Sequence, residues 1–194
     1  MPYLIPATNN IFGLQPANGP QGRTNLYSVS SSEATNILTG DALVWISSVG
    51  TVRAVVTADR STNNAFAGVA AAGLSTASYA FTNFNLLVYD DPMQVYAIAV
   101  TTSLGVSQVD YGRAFTFVTT ATGTGIPSTA ANVGRSKMAM NPVNSTDIGY
   151  IKMIGLHPVE ALAAGGFVVT TSVGKPQKYL VMPNIDGRTV SLTT

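Results

Sequence analysis

From Leu26 onward the apolar residues come in short runs, each cut within a few positions by Gly, Asn, Asp or Pro, and the text between is rich in Thr, Ser, Val and Ala. That rhythm suits short strands joined by turns and gives no sustained 3.6-residue period for helices. The clearest case is Gln94 to Thr101, where Gln94, Tyr96, Ile98 and Val100 alternate with Val95, Ala97 and Ala99. An extended chain sends such neighbours to opposite faces. Further strands are expected at Ala42–Ile46, Thr51–Thr57, Phe66–Ala72, Asn85–Tyr89, Ala114–Thr119, Ile148–Leu156, Phe167–Thr171 and Lys178–Met182. Ser48-Val49-Gly50 predicts a hairpin turn, and Asp186-Gly187 a second one before Arg188–Leu192. One short helix is expected after His157, with Pro158 at its first position and Gly165 at its stop. The Thr, Ala and Gly stretch from Thr119 to Asn132 reads as a long exposed loop or hairpin tip, either mobile or a contact loop ordered by a partner. About ten short strands at this spacing predict an all-β domain, a β-barrel or a β-sandwich.

The first 25 residues differ. Pro2, Pro6, Pro16 and Pro20 break them up, and proline removes backbone donors and excludes helix and central strand. Residues 1–25 therefore read as an extended N-terminal arm, and residues 26–194 as the all-β domain. The arm still carries Tyr3, Leu4, Ile5, Ile11, Phe12 and Leu14. Apolar side chains on an extended segment need cover. They find it on their own domain or on a neighbouring subunit, unless the segment is a disordered tail. The second reading makes these six residues a partner-binding set. It also implies that removing residues 1–25 leaves the domain folded while weakening attachment.

Charge narrows the function. Ten Lys and Arg against nine Asp and Glu leave a net charge of +1, and charged residues are 10% of the 194. A soluble domain usually carries about 25%. With no basic cluster, no electrostatic grip on nucleic acid is expected. Cysteine is absent and His157 is the single histidine, which excludes thiolate metal sites, disulfides, Cys nucleophiles and multi-His metal sites. No apolar stretch reaches the roughly 18 residues of a membrane span, so no membrane partner is expected. Met1–Pro6 lacks the pattern of a secretory signal. Mean hydropathy is +0.26, which argues against disorder. Surface charge normally keeps a solitary protein dispersed. So apolar and ion-poor a chain is expected to cover much of its surface with partners.

The candidate chemistry is sparse. Asp90-Asp91-Pro92 is the most prominent acidic group, yet neighbours on an extended chain point apart, so a strand-ending turn is the expected reading. Whether the two carboxylates hold a cation stays open. His157 has Glu160 three residues on, and Ser75, Ser103 and Ser107 lack the Gly-x-Ser-x-Gly elbow of a hydrolase nucleophile. Gly123-Thr124-Gly125 lacks the Gly-Lys-Ser/Thr ending of a phosphate loop. Asn144-Ser145-Thr146 matches a glycosylation sequon and reads as a polar turn. Arg53 and Arg60 beside Asp59 read as an exposed, salt-bridged β face. Trp45, Tyr79, Phe81, Phe84 and Tyr89 offer a sugar-stacking platform or simple core packing. No catalytic residue, cofactor or metal site is assigned, and no enzymatic activity is expected.

Several motifs recur in a telling order. Gly40-Asp41-Ala42-Leu43-Val44 opens a strand, and Gly68-Val69-Ala70 follows. Next come Leu87-Val88-Tyr89-Asp90-Asp91-Pro92-Met93-Gln94-Val95-Tyr96 and Asp110-Tyr111-Gly112. Ile151-Lys152-Met153-Ile154-Gly155-Leu156 and Gly165-Gly166-Phe167-Val168-Val169 complete the order. Over roughly residues 35 to 182 the chain resembles the head decoration, or capsid cement, proteins of tailed bacteriophages. The resemblance implies an all-β structural virion protein on the outer surface of the capsid, assembled in the host cytoplasm. Its expected partners are the major capsid protein and neighbouring copies of itself. The family carries no catalytic residue to transfer. Other expectations compatible with the residues are a tail or fibre subunit and a carbohydrate-binding β-sandwich.

Overall fold

The computed structural model describes residues 13–17, 23–30, 36–46, 48–56, 65–73, 84–100, 111–118, 136, 138–141, 149–157 and 178–184. Their regular structure is all β. The strands are β1 (Gln15–Pro16), β2 (Thr24–Val29), β3 (Ala42–Ile46), β4 (Thr51–Ala54), β5 (Phe66–Ala70) and β6 (Phe84–Tyr89). They continue with β7 (Tyr96–Ala99), β8 (Ala114–Phe115), β9 (Phe117–Val118), β10 (Ala139–Met140), β11 (Ile151–Leu156) and β12 (Lys178–Pro183).

Five of them close a small barrel in the order β2-β4-β3-β5-β6. The β3–β4 hairpin turns where the Ser48-Val49-Gly50 signal lies, with Gly50 donating to the Ile46 carbonyl at 2.9 Å. The barrel closes through an antiparallel β2–β6 ladder, from Thr24 opposite Tyr89 to Val29 opposite Phe84. A single parallel pairing, Val29 with Val52, joins β2 to β4. That seam is short, so closure there rests on one pair of residues. A five-stranded sheet, ordered β1-β7-β12-β11-β8, and a two-stranded β9–β10 ladder make up the rest.

One continuous apolar core serves both units. Val29, Leu43, Val44, Phe66, Leu86 and Val88 from the barrel share it with Tyr96, Ile98, Phe115, Ile151, Met153 and Val181 from the sheet. At the boundary the Phe66 ring lies 6.4 Å from Tyr150, which stacks on Phe117 at 6.0 Å. The expected alternation at Tyr96–Ala99 is present as a pattern, but all four residues are buried. Alanine on the second face lets both faces pack.

A bulge alters β11. Its register against β12 shifts between Met153 and Gly155, which leaves Ile154 exposed and brings Leu156 inward with Met153. Strict period-two reading of Ile148–Leu156 puts Leu156 on the opposite face from Met153. The extra residue reverses that assignment.

The arm boundary needs correction over the residues described. Leu14 is 2% exposed and belongs to the core of its own chain. Gln15 and Pro16 pair with Ala97 and Tyr96 at the edge of the five-stranded sheet. Proline is tolerated there because an edge strand can do without its N–H. Thr24 and Asn25 already belong to the barrel ladder. The expected strands at Phe167–Thr171 and Arg188–Leu192, the short helix after His157 and the Thr119–Asn132 loop lie outside the described residues.

Candidate functional site

Two features on the β2–β6 side of the barrel bear on function. The first is polar. β2 continues from Arg23, and alternation puts Arg23, Asn25 and Tyr27 on one face. All three converge on Asp90, which directly follows β6. Arg23 donates through Nε at 3.0 Å and Nη2 at 3.2 Å, Asn25 Nδ2 at 2.7 Å, and the Tyr27 hydroxyl at 2.6 Å. The Arg23 side chain is 64% exposed and that of Asp90 4%. Burial pushes the Asp90 carboxyl up, but the bonds from Arg23, Tyr27 and Asn25 outweigh it and hold it below the ordinary carboxylate range. The Tyr27 ring in turn meets Trp45 edge-on, with centroids 5.1 Å apart.

This arrangement gives Asp90 a structural task. Its backbone N–H also donates to the Arg23 carbonyl at 3.2 Å. Asp91 turns away to a different one: its Oδ1 accepts from the Met93 N–H at 2.9 Å, and its carbonyl from the Gln94 N–H at 3.1 Å. The pair is the strand-ending turn expected from Asp90-Asp91-Pro92, with each carboxylate engaged separately. Among the described residues no group of three or more His, Asp or Glu is placed to hold a metal ion.

The second feature is apolar. Leu26 on β2 stands directly opposite Leu87 on β6. They are 67% and 41% exposed, while Leu86 and Val88 on either side of Leu87 are buried. The opposed leucines therefore face outward. Their neighbours on that face, Thr24 with Tyr89 and Ser28 with Asn85, carry no charge. Sequence reasoning passed over this pair. The signal was present in Leu86-Leu87-Val88, since three successive apolar residues on a strand put at least one on the outer face.

The other candidates fall as follows. Of the arm set, Leu14 is buried within this chain and is not open to a neighbour; Tyr3, Leu4, Ile5, Ile11 and Phe12 lie outside the described residues. His157 is half-buried, its backbone N–H donating to the Lys178 carbonyl at 3.1 Å. Burial first, and Lys178 second, lower its pKa. Glu160, Ser75, Ser103 and Ser107 lie outside the described residues, as do Gly123-Thr124-Gly125 and Asn144-Ser145-Thr146. Arg53 donates through Nη1 to the Ala54 carbonyl at 3.0 Å; Asp59 and Arg60 are outside the described residues. Of the aromatic set, Trp45 packs against Tyr27, Phe84 is exposed and Tyr89 is partly buried. Tyr79 and Phe81 are not among the described residues.

Comparison with protein-family profiles, with curated proteins and with solved structures finds no match.

Proposed function

We propose that this protein is a structural virion component that binds the outer surface of a bacteriophage capsid and reinforces contacts between major capsid protein subunits. The observation that carries the reading is the outward Leu26–Leu87 pair, set on an uncharged ladder of a chain with 10% charged residues. Water gains from covering such a face, at about 25 cal/mol per Å² of apolar area. A standard interface buries on the order of 800 Å² per partner, so contacts of this modest kind suffice if several act together. The ladder is itself part of the closed barrel, whose pairing fixes the two leucines opposite each other. The resemblance in motif order supports the choice of partner.

Co-sedimentation of the purified full chain with expanded empty capsids tests the proposal. The wild-type protein is expected to pellet with the shells at a fixed ratio to the major capsid protein. Leu26→Asp with Leu87→Asp is expected to lower that ratio while the far-ultraviolet circular dichroism stays unchanged. Equal decoration by the double variant removes the ladder from the interface. No binding to any shell by the wild-type chain overturns the reading.

A further inference from the structure

The ladder that carries the outward leucines has two unlike ends. Its strands, Thr24–Val29 and Phe84–Tyr89, contain no charged residue. At one end the last pair is Val29 with Phe84, and Phe84 is exposed. At the other end, one step beyond Thr24 and Tyr89, stand Arg23 and Asp90. Arg23 lies roughly 20 Å of strand from Val29, at about 3.4 Å per residue. A surface laid along the leucines therefore meets apolar area at one end and charge at the other.

The charge at that end is one-sided. With both bonds to Asp90 made, the Arg23 side chain is still 64% exposed, while that of Asp90 is 4% exposed. What a partner meets is the cation. The guanidinium is also set in place before any partner arrives. Its Nε and Nη2 edge rests on a carboxylate that Asn25 and Tyr27 hold in turn, and the Asp90 N–H closes the same pair on the Arg23 carbonyl. An arginine that docks usually gives up rotamer freedom on binding, and here folding has already met that cost. Use of the Nε and Nη2 edge turns Nη1 away from Asp90, and a guanidinium has more N–H donors than one carboxylate can use.

We infer that Arg23 is the orienting contact of this ladder: it takes a carboxylate on the surface of the major capsid protein, so that the uncharged face docks in one direction. The inference rests on the adhesive reading above and names the chemistry of its partner. Apolar contact supplies adhesion but has no direction. A fixed charge at one end tells the two ways round apart, because the reversed arrangement sets the cation and the carboxylate each against apolar surface. A carboxylate is the group that fits, since its two oxygens match the planar donors of a guanidinium.

A chemical cycle on capsids tests this. Expanded empty capsids are used either untreated or with their surface carboxylates amidated by carbodiimide and glycinamide, and intact shells are recovered before use. The full chain, as wild type and as Arg23→Gln, is titrated against both by co-sedimentation. Amidation is expected to weaken the wild type about three- to tenfold and Arg23→Gln less than about twofold. On untreated shells Arg23→Gln is expected to bind as the wild type binds amidated ones. Equal loss on amidation for the two chains overturns the orienting contact, and so does wild-type affinity of Arg23→Gln for untreated shells. Removing Arg23 alone leaves the Asp90 carboxylate buried without its cation. Arg23→Gln with Asp90→Asn is therefore measured beside it, and decides by the same criteria should the single variant fail to fold. Failure of the cycle with binding intact leaves the adhesive role standing; a wild-type chain that pellets with no untreated shell overturns both.

Discussion

Burial on its own pushes the Asp90 carboxyl toward the neutral form, and its neighbours reverse that. Asp90 receives bonds from Arg23, Asn25 and Tyr27, which hold it ionised. Its contribution to stability is therefore present at neutral pH and is lost as pH falls below the ordinary carboxylate value of 3.8. Asp90→Asn leaves donors facing an amide in place of a charge, and is expected to cost about 1–3 kcal/mol in urea unfolding at neutral pH. The difference from wild type should shrink in acid. Leu14→Ala tests a different force. It empties a site in the core and is expected to cost roughly 2–5 kcal/mol. An arm side chain held by a neighbouring subunit would instead lose almost nothing in the isolated chain, so the same unfolding curve separates the two.

At the scale of elements, the strands were legible wherever period and punctuation agreed. Ala42–Ile46 matches its expected bounds, and Phe84–Tyr89 and Lys178–Pro183 lie within a residue of theirs. The two-residue strands Gln15–Pro16 and Ala139–Met140 were not legible, because so short a run has no period. Bulges were equally silent. At Gly68 the register between β3 and β5 slips beside Leu43, and φ reaches +149°. A side chain there would meet the Tyr89 carbonyl oxygen at 2.4 Å and Val88 Cγ1 at 2.6 Å. Gly68→Ala is thus expected to loosen the β5–β6 seam of the barrel and lower the midpoint of thermal unfolding sharply. Gly50→Ala, also at positive φ but with nothing within 4 Å, bears only the backbone cost. That cost is about 1–2 kcal/mol. Comparable melting shifts for the two would contradict the close packing at Gly68. Of the candidate site, the Asp90-Asp91-Pro92 turn was legible from local chemistry. Arg23, Asn25 and Tyr27 were not, since their link to Asp90 spans more than 60 positions of chain.

At the scale of the whole molecule, the N-terminal stretch joins the described sheet to the described barrel. Residues 13–17 lie on the sheet and on the turn at Gly40, residues 23–29 on the barrel, and the Asp90–Val95 connection receives both, through Arg23 and through the Ala17 N–H on the Val95 carbonyl at 2.9 Å. Removing residues 1–25 takes away Leu14, β1, Arg23 and the first two residues of β2, and is expected to lose cooperative unfolding by calorimetry. This reverses the expectation, read from the prolines alone, that the first 25 residues are dispensable for folding. A truncated chain that melts as one unit near the wild-type temperature would restore it.

Among the described residues, both outer rims of the five-stranded sheet are strands of two residues, and one of them contains Pro16. A stub of that length, with an imide nitrogen that cannot donate, offers an incoming polypeptide almost no ladder to extend. Along these two rims, as far as they are described, a second polypeptide finds little backbone to pair with.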